Sequence, residues 1–257
     1  MTRRKLLIGN WKMFKTATEA RAFAAGLNTE SGAKQAAASV DLAVCPPFTA
    51  ISALADALPE YVKVGAQNVY FEEQGAFTGE ISAAMLADNG VTFAIVGHSE
   101  RRTLFGETDE AVGKKAVVAV KHGLTPVICV GENLAERYAN QTAEVVARQT
   151  RAAIAGLSSE QVAASVVAYE PVWAIGSGRT PEPEDAEAVI DGIRKVISEE
   201  KGSAAAKSVR ILYGGSVKPE NIAAFGAQPN IDGALVGGAS LEASSFARMA
   251  TALSGGN

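Results

Sequence analysis

Apolar residues follow two alternating patterns along the chain. Short, almost unbroken apolar runs, most of them rich in β-branched residues, recur at Lys5–Gly9, Val40–Cys45, Val62–Ala66, Phe93–Val96, Pro126–Val130, Val166–Tyr169, Val209–Tyr213 and Gly233–Val236. Runs without polar alternation belong to strands buried on both faces, as in a parallel sheet. Between them lie Ala-, Glu- and Lys-rich stretches with apolar positions at helical spacing. These are Thr18–Gly26, Thr49–Leu58, Ser82–Asn89, Asp109–His122, Leu134–Ile154, Glu184–Lys201, Pro219–Phe225 and Leu241–Leu253. Thr16 and Glu19 have the offset of a capping box ahead of the first helix.

Strict alternation of strand and helix leaves two α/β architectures, an open doubly wound sheet or a closed (β/α)8 barrel. Eight units in 257 residues favour the barrel, with eight parallel strands alternating with helices. No linker, charge run or low-complexity segment divides the chain, so a single barrel domain over residues 1–257 is expected.

A barrel places function at the C-terminal ends of its strands. Polar residues directly after the apolar runs are Asn10 and Lys12, Gln67 and Asn68, His98 to Arg102, Glu170, Gly214 to Ser216, and Gly237-Gly238. Glu170, followed by Pro171, is either a general base or a charge on the rim. The next residues, from Val172 through Trp173 and Ile175 to Gly178, put apolar side chains on a glycine-hinged loop, the composition of a lid that excludes water. His98 ends a strand, whereas His122 ends a helix, where a cation complements the helix dipole; His98 is therefore the candidate imidazole. Lys12 is either a fixed positive charge at the mouth or a solvated lysine. The glycine-rich ends after the seventh and eighth strands, with Ser216, Gly237 and Gly238, can turn backbone N–H groups toward an anion. Gln67 to Glu80 is a long connection bearing Phe71 and Phe77, suited to insertion into another copy of the chain.

Composition narrows the partners. With 24 Lys and Arg against 28 Asp and Glu the net charge is −4, and no basic tract points to nucleic acid or to an anionic membrane. An anionic small molecule has to be held locally. Cys45 and Cys129 form no CxxC pair, which excludes a thiolate zinc site and a disulfide framework, and two histidines cannot build a multi-histidine metal centre. Gly176-x-Gly178 lacks the third glycine of a dinucleotide fingerprint, Pro181 standing in its place. The apolar run Leu6–Ile8 is too short for a signal-peptide core, and a cytoplasmic location is expected.

In order along the chain, GNWKM (9–13), GAQN (65–68), GAFTGEIS (75–82), GHSERR (97–102), YEPVWAIG (169–176), LYGGSVKPEN (212–221) and DGALVGGASL (232–241) resemble the signature segments of the triosephosphate isomerases. The resemblance covers almost the whole chain. Phe14 departs from a common Asn, and Ser177 and Arg179 from the frequent Thr and Lys of the lid. It implies a homodimeric (β/α)8 barrel of glycolysis and gluconeogenesis that interconverts dihydroxyacetone phosphate and glyceraldehyde 3-phosphate without cofactor or metal. By motif, Glu170 is implied as the base, His98 as a neutral imidazole acting on the substrate oxygens, Lys12 as positive charge and Asn10 as a hydrogen-bond donor. The phosphate is implied to sit on Gly176, Ser216, Gly237 and Gly238. Glu100 is expected near Lys12, Trp173, Ile175 and Tyr213 at the lid, and Phe77 and Thr78 on a loop that reaches the partner subunit. Two other readings share some of these features, a Schiff-base aldolase using Lys12 and a non-catalytic barrel that binds a ligand.

Overall fold

The computed structural model describes residues 3–175 and 180–255. Eight strands form a closed parallel barrel in chain order. They are β1 (Lys5–Asn10), β2 (Val40–Cys45), β3 (Val62–Ala66), β4 (Phe93–Val96), β5 (Thr125–Val130), β6 (Val166–Tyr169), β7 (Arg210–Tyr213) and β8 (Gly233–Val236). β8 returns to β1 with Leu6 opposite Gly233 and Gly9 opposite Val236, which closes the ring.

The unbroken apolar runs reflect two separate cores. Successive side chains on a strand point to opposite faces. Leu6, Ile8, Ala43, Cys45, Phe93, Ile95, Val127, Cys129, Val166, Ala168, Leu212 and Leu235 fill the barrel interior. The alternate residues, such as Leu7, Leu42, Val44, Val96, Ile128, Val167 and Ile211, pack outward against the helices. Both faces are therefore dry, and the sequence carries no polar alternation.

The helical stretches start where short polar side chains cap them. Thr16 accepts from Glu19 N while the Glu19 carboxylate accepts from Thr16 N, the reciprocal pair expected from their spacing. Asn133 with Glu136 and Ser158 with Gln161 form the same reciprocal pair, while Ser82 and Thr108 cap their helices by accepting the N–H of Met85 and of Ala111. Two expected helices differ. The stretch Leu134–Ile154 is two helices, Leu134–Tyr138 and Thr142–Ile154, because Asn140 takes a left-handed backbone with φ of 57°. Thr49–Leu58 is a 3₁₀ turn, Phe48–Ala50, leading into the helix Ile51–Ala55. The short helices Ser31–Ala36, Ser99–Phe105, Ser159–Ala164 and Ser203–Ser208 have too few turns to show an apolar stripe. Among the described residues no helix is long and apolar enough to cross a membrane.

Candidate active site

Asn10, Lys12, His98, Glu170, Ile175, Ser216, Gly237 and Gly238 line one cavity of about 370 Å³ at the C-terminal mouth of the barrel. They come from β1, β4, β6, β7 and β8, and only the closed barrel brings them together.

Glu170 follows β6 directly, and its N–H donates to Val130 O at the end of β5. Its side chain is almost wholly buried. One carboxylate oxygen lies 2.9 Å from His98 Nε2 and the other accepts the Ser99 N–H at 2.9 Å. Burial opposes the charge on this carboxylate, but His98 and the Ser99 N–H outweigh it and hold the pKa below the ordinary value. Gly131 makes the local packing possible, because any side chain there would overlap the Glu170 carbonyl oxygen.

His98 is set by Gly97, whose φ of 71° turns the chain sharply out of β4. His98 Nδ1 accepts the Glu100 N–H at 3.2 Å, so it carries no proton. The ring proton is on Nε2, facing Glu170. Burial opposes a charge on the ring, while the Glu170 carboxylate favours one and prevails as long as the two side chains touch. A second ring proton would break the bond from Glu100.

Lys12 has a left-handed backbone, φ 52°, a conformation that costs a residue with a Cβ about 1–3 kcal/mol. It persists because Asn10 Oδ1 accepts the Lys12 N–H at 3.1 Å and Gln67 Nε2 donates to Lys12 O at 2.8 Å. Lys12 Nζ pairs with Glu100 at 2.6 Å. The opposite wall is backbone, with Ser216, Gly237 and Gly238 at the ends of β7 and β8. Lys218 joins them as a second cation, on an exposed loop where nothing in the local pattern marks it.

Beside Val172 and Trp173, at the start of the expected lid, lies a group absent from the expected set. Glu132, wholly buried after β5, accepts from Tyr169 Oη at 3.1 Å and from Trp173 Nε1 at 2.8 Å, and its carbonyl accepts the Val172 N–H at 3.1 Å. Its partners are about forty residues away in sequence, beyond the reach of local spacing. Tyr213 is buried, stacked on Phe225, and its hydroxyl has no hydrogen-bond partner among the described residues. Gly176, Ser177 and Arg179 lie outside the described residues. Phe77 and Thr78 stand away from the cavity on an exposed finger, whose base is closed by Tyr70 N donating to Ile81 O. His122 sits at a helix end, 2.6 Å from Glu73, and takes no part in the cavity.

A buried ionic cluster supports the strand end that carries His98. Glu107 accepts Gly97 N–H at 2.8 Å, Arg101 Nε at 2.7 Å and Lys115 Nζ at 2.8 Å, and Lys115 also donates to Asn68 Oδ1. Burial opposes the Glu107 charge, yet these donors prevail and lower its pKa; the same burial lowers that of Lys115, which Glu107 only partly offsets. A carboxyl with a depressed folded pKa stabilises the fold above its unfolded pKa, and that stability is lost as pH falls through the folded value. The melting temperature is therefore expected to fall steeply below the ordinary carboxylate range. Glu107→Gln should melt lower at pH 7 and show a flatter acid limb in thermal melts between about pH 7 and 3. An unchanged acid limb in that variant would assign the acid sensitivity to other carboxylates.

A family model described as triosephosphate isomerase matches residues 5–253. A triosephosphate isomerase of Symbiobacterium thermophilum is 53% identical over 252 residues, covering 97% of this chain and 97% of that protein. One from Roseiflexus sp. (strain RS-1) is 52% identical over 248 residues, 96% of each. Another, from Moorella thermoacetica, is 53% identical over 246 residues, 95% of this chain and 97% of that protein. With the closed barrel, the cavity at its C-terminal mouth and this likeness along nearly its full length, the chain belongs to the triosephosphate isomerase family.

Proposed function

We propose that this enzyme interconverts dihydroxyacetone phosphate and D-glyceraldehyde 3-phosphate, moving a proton between adjacent carbons through an enediolate, with Glu170 as the base. The observation that carries the role is the buried Glu170–His98 pair at 2.9 Å, in a cavity that also holds Lys12 and Asn10. The Glu170 carboxylate takes a proton from C1 of the ketone, and the electron pair of that C–H bond forms the carbon–carbon double bond. Charge gathers on the C2 oxygen, where His98 Nε2–H and the Lys12 ammonium stabilise it. His98 passes a proton between the two oxygens, and Glu170 returns its proton to C2. To reach carbon, Glu170 has to leave His98 Nε2. The strongest contact favouring a charged ring is then gone, burial and the nearby Lys12 still oppose that charge, and His98 acts as a neutral donor.

The phosphate dianion is held by N–H groups at Ser216, Gly237 and Gly238, with Lys12 and Lys218 supplying positive potential in a chain of net charge −4. Ile175 and Trp173, tied at their base to Glu132, close over the site and keep the enediolate from water. Lys12 Nζ is engaged by the Glu100 carboxylate at 2.6 Å, a contact that a Schiff base would have to give up, which speaks against the aldolase alternative. A coupled assay that follows glyceraldehyde 3-phosphate formed from dihydroxyacetone phosphate tests the activity, and no turnover would contradict it. A borohydride-trapped adduct on Lys12 would favour the aldolase.

The working form is a homodimer, and the setting is the cytoplasm, where the two unpaired, buried thiols Cys45 and Cys129 stay reduced. Large apolar side chains are exposed after each of the first four strands: Met13 and Phe14, Phe48, Phe77, and Leu104 with Phe105. Such exposure on half of one rim fits self-association. In this reading Thr78 on the finger reaches the partner's active site. Phe77→Glu should shift the protein toward monomer in sedimentation and lower kcat. A dimer of undiminished stability would place the interface elsewhere.

A further inference from the structure

We propose that Arg102 is a positioning residue for both catalytic side chains, an inference that rests on the roles given above to His98 and Glu170. Arg102 Nε donates to Gly97 O at 2.8 Å, and Nη2 donates to Cys129 O at 3.3 Å. Nη1 pairs with Asp109 at 2.5 Å, and the other oxygen of Asp109 takes Arg148 Nε at 3.1 Å. One planar group thus joins the carbonyl beside His98 to a carbonyl near the end of β5, and a carboxylate fixes its orientation. The Arg102 side chain is 15% exposed, so this fork is largely shielded from water.

The link bears on catalysis through the helix that carries it. Arg102 lies at the middle of the short helix Ser99–Phe105, and its own N–H donates to His98 O. The first two residues of that helix hold the reacting groups, with Ser99 N–H on the Glu170 carboxylate and Glu100 N–H on His98 Nδ1. Fixing Arg102 against both strands therefore fixes these two donors. Gly97, a left-handed glycine between β4 and His98, is otherwise a natural hinge; Glu107 holds its N–H and Arg102 its carbonyl. Lysine cannot replace the fork, since a single ammonium does not present two donors in a fixed plane.

The test is a split between rate and binding, read together with the state of the His98 ring. Arg102→Gln should lower kcat about 10–100-fold, because a misplacement of ~1 Å can cost on the order of 100-fold. KM should change less than about threefold, since Lys12 and the phosphate-binding backbone are untouched. Arg102→Lys should recover only part of the loss. The chain has two histidines, so ¹⁵N-histidine spectra resolve both rings. The His98 Nε2–H signal should shift or broaden in the Arg102 variants while those of His122 stay put. Wild-type kcat in Arg102→Gln overturns the proposal. So does a lower melting temperature with unmoved His98 signals, which would make Arg102 merely structural. If Arg102→Gln does not fold, Asp109→Asn, which keeps the guanidinium but removes its orienting carboxylate, should show the same split at smaller amplitude. Wild-type kcat and His98 signals there overturn it equally. Full activity in Glu170→Gln would instead overturn the catalytic reading on which the proposal rests.

Discussion

Glu170→Gln is expected to lower kcat by about 10²–10⁴-fold, the usual worth of a general base, and to leave the fold intact. The amide has nearly the same volume, and its oxygen can still accept the Ser99 N–H that now holds the carboxylate at 2.9 Å. What it cannot do is accept a proton from carbon. KM should move little, because the proposed anion-binding groups, Lys12 and the backbone at the ends of β7 and β8, are separate from Glu170. The amide NH₂ cannot accept the His98 Nε2–H, and the loss of that contact should cost no more than a few degrees of melting temperature. Steady-state kinetics and thermal melts on the same preparation separate the two effects. Near-wild-type turnover would remove Glu170 from the reaction.

Asp232→Ala should do the reverse, with large loss of stability and almost none of activity. Asp232 lies just before β8 at the N-terminal base of the barrel and is 2% exposed. Its carboxylate accepts Arg3 Nε at 2.7 Å, Arg194 Nη2 at 3.0 Å and the Ile211 N–H at 2.8 Å. Its backbone also ties β7 to β1, donating to Ile211 O and accepting from Leu6 N. Removing one partner of a buried ion pair costs about 3–5 kcal/mol, because the remaining charges are left unpaired in a dry place. For a chain of this length that is roughly 6–20 °C in melting temperature, at about 2–4 °C per kcal/mol. Activity at 25 °C should survive, since the catalytic groups occupy the opposite end of the barrel. A melting temperature within a degree or two of wild type would show that Arg3 and Arg194 find other acceptors.

The strands are legible in the sequence because they are buried on both faces. An uninterrupted apolar run such as Val166–Tyr169 has few other places to go, and its register follows once eight such runs must close one ring. Helix interiors are less so. Asn140 breaks the stretch Leu134–Ile154 by taking a left-handed backbone, a choice that helical spacing on either side does not announce. In the site, Asn10, Lys12, His98 and Glu170 are legible because each ends or follows a strand, and the barrel makes that position meaningful. Glu132 also follows a strand, yet its importance lies in its contacts with Tyr169 and Trp173, which exist only once β5 and β6 are side by side. His98 and His122 show how place outweighs residue type. The same imidazole is buried against Glu170 in one case and holds an exposed glutamate at a helix end in the other.

If Glu170 carries a proton between neighbouring carbons, turnover of glyceraldehyde 3-phosphate in D₂O, with the product followed by ¹H NMR, should reveal it. A carboxylate that takes the substrate proton can exchange it with solvent before giving it back, so a measurable fraction of the dihydroxyacetone phosphate should carry deuterium on C1, and this labelling should vanish with turnover in Glu170→Gln. Product formed at full rate with no carbon-bound deuterium would point to direct movement of hydrogen between the carbons and would speak against Glu170 as the carrier.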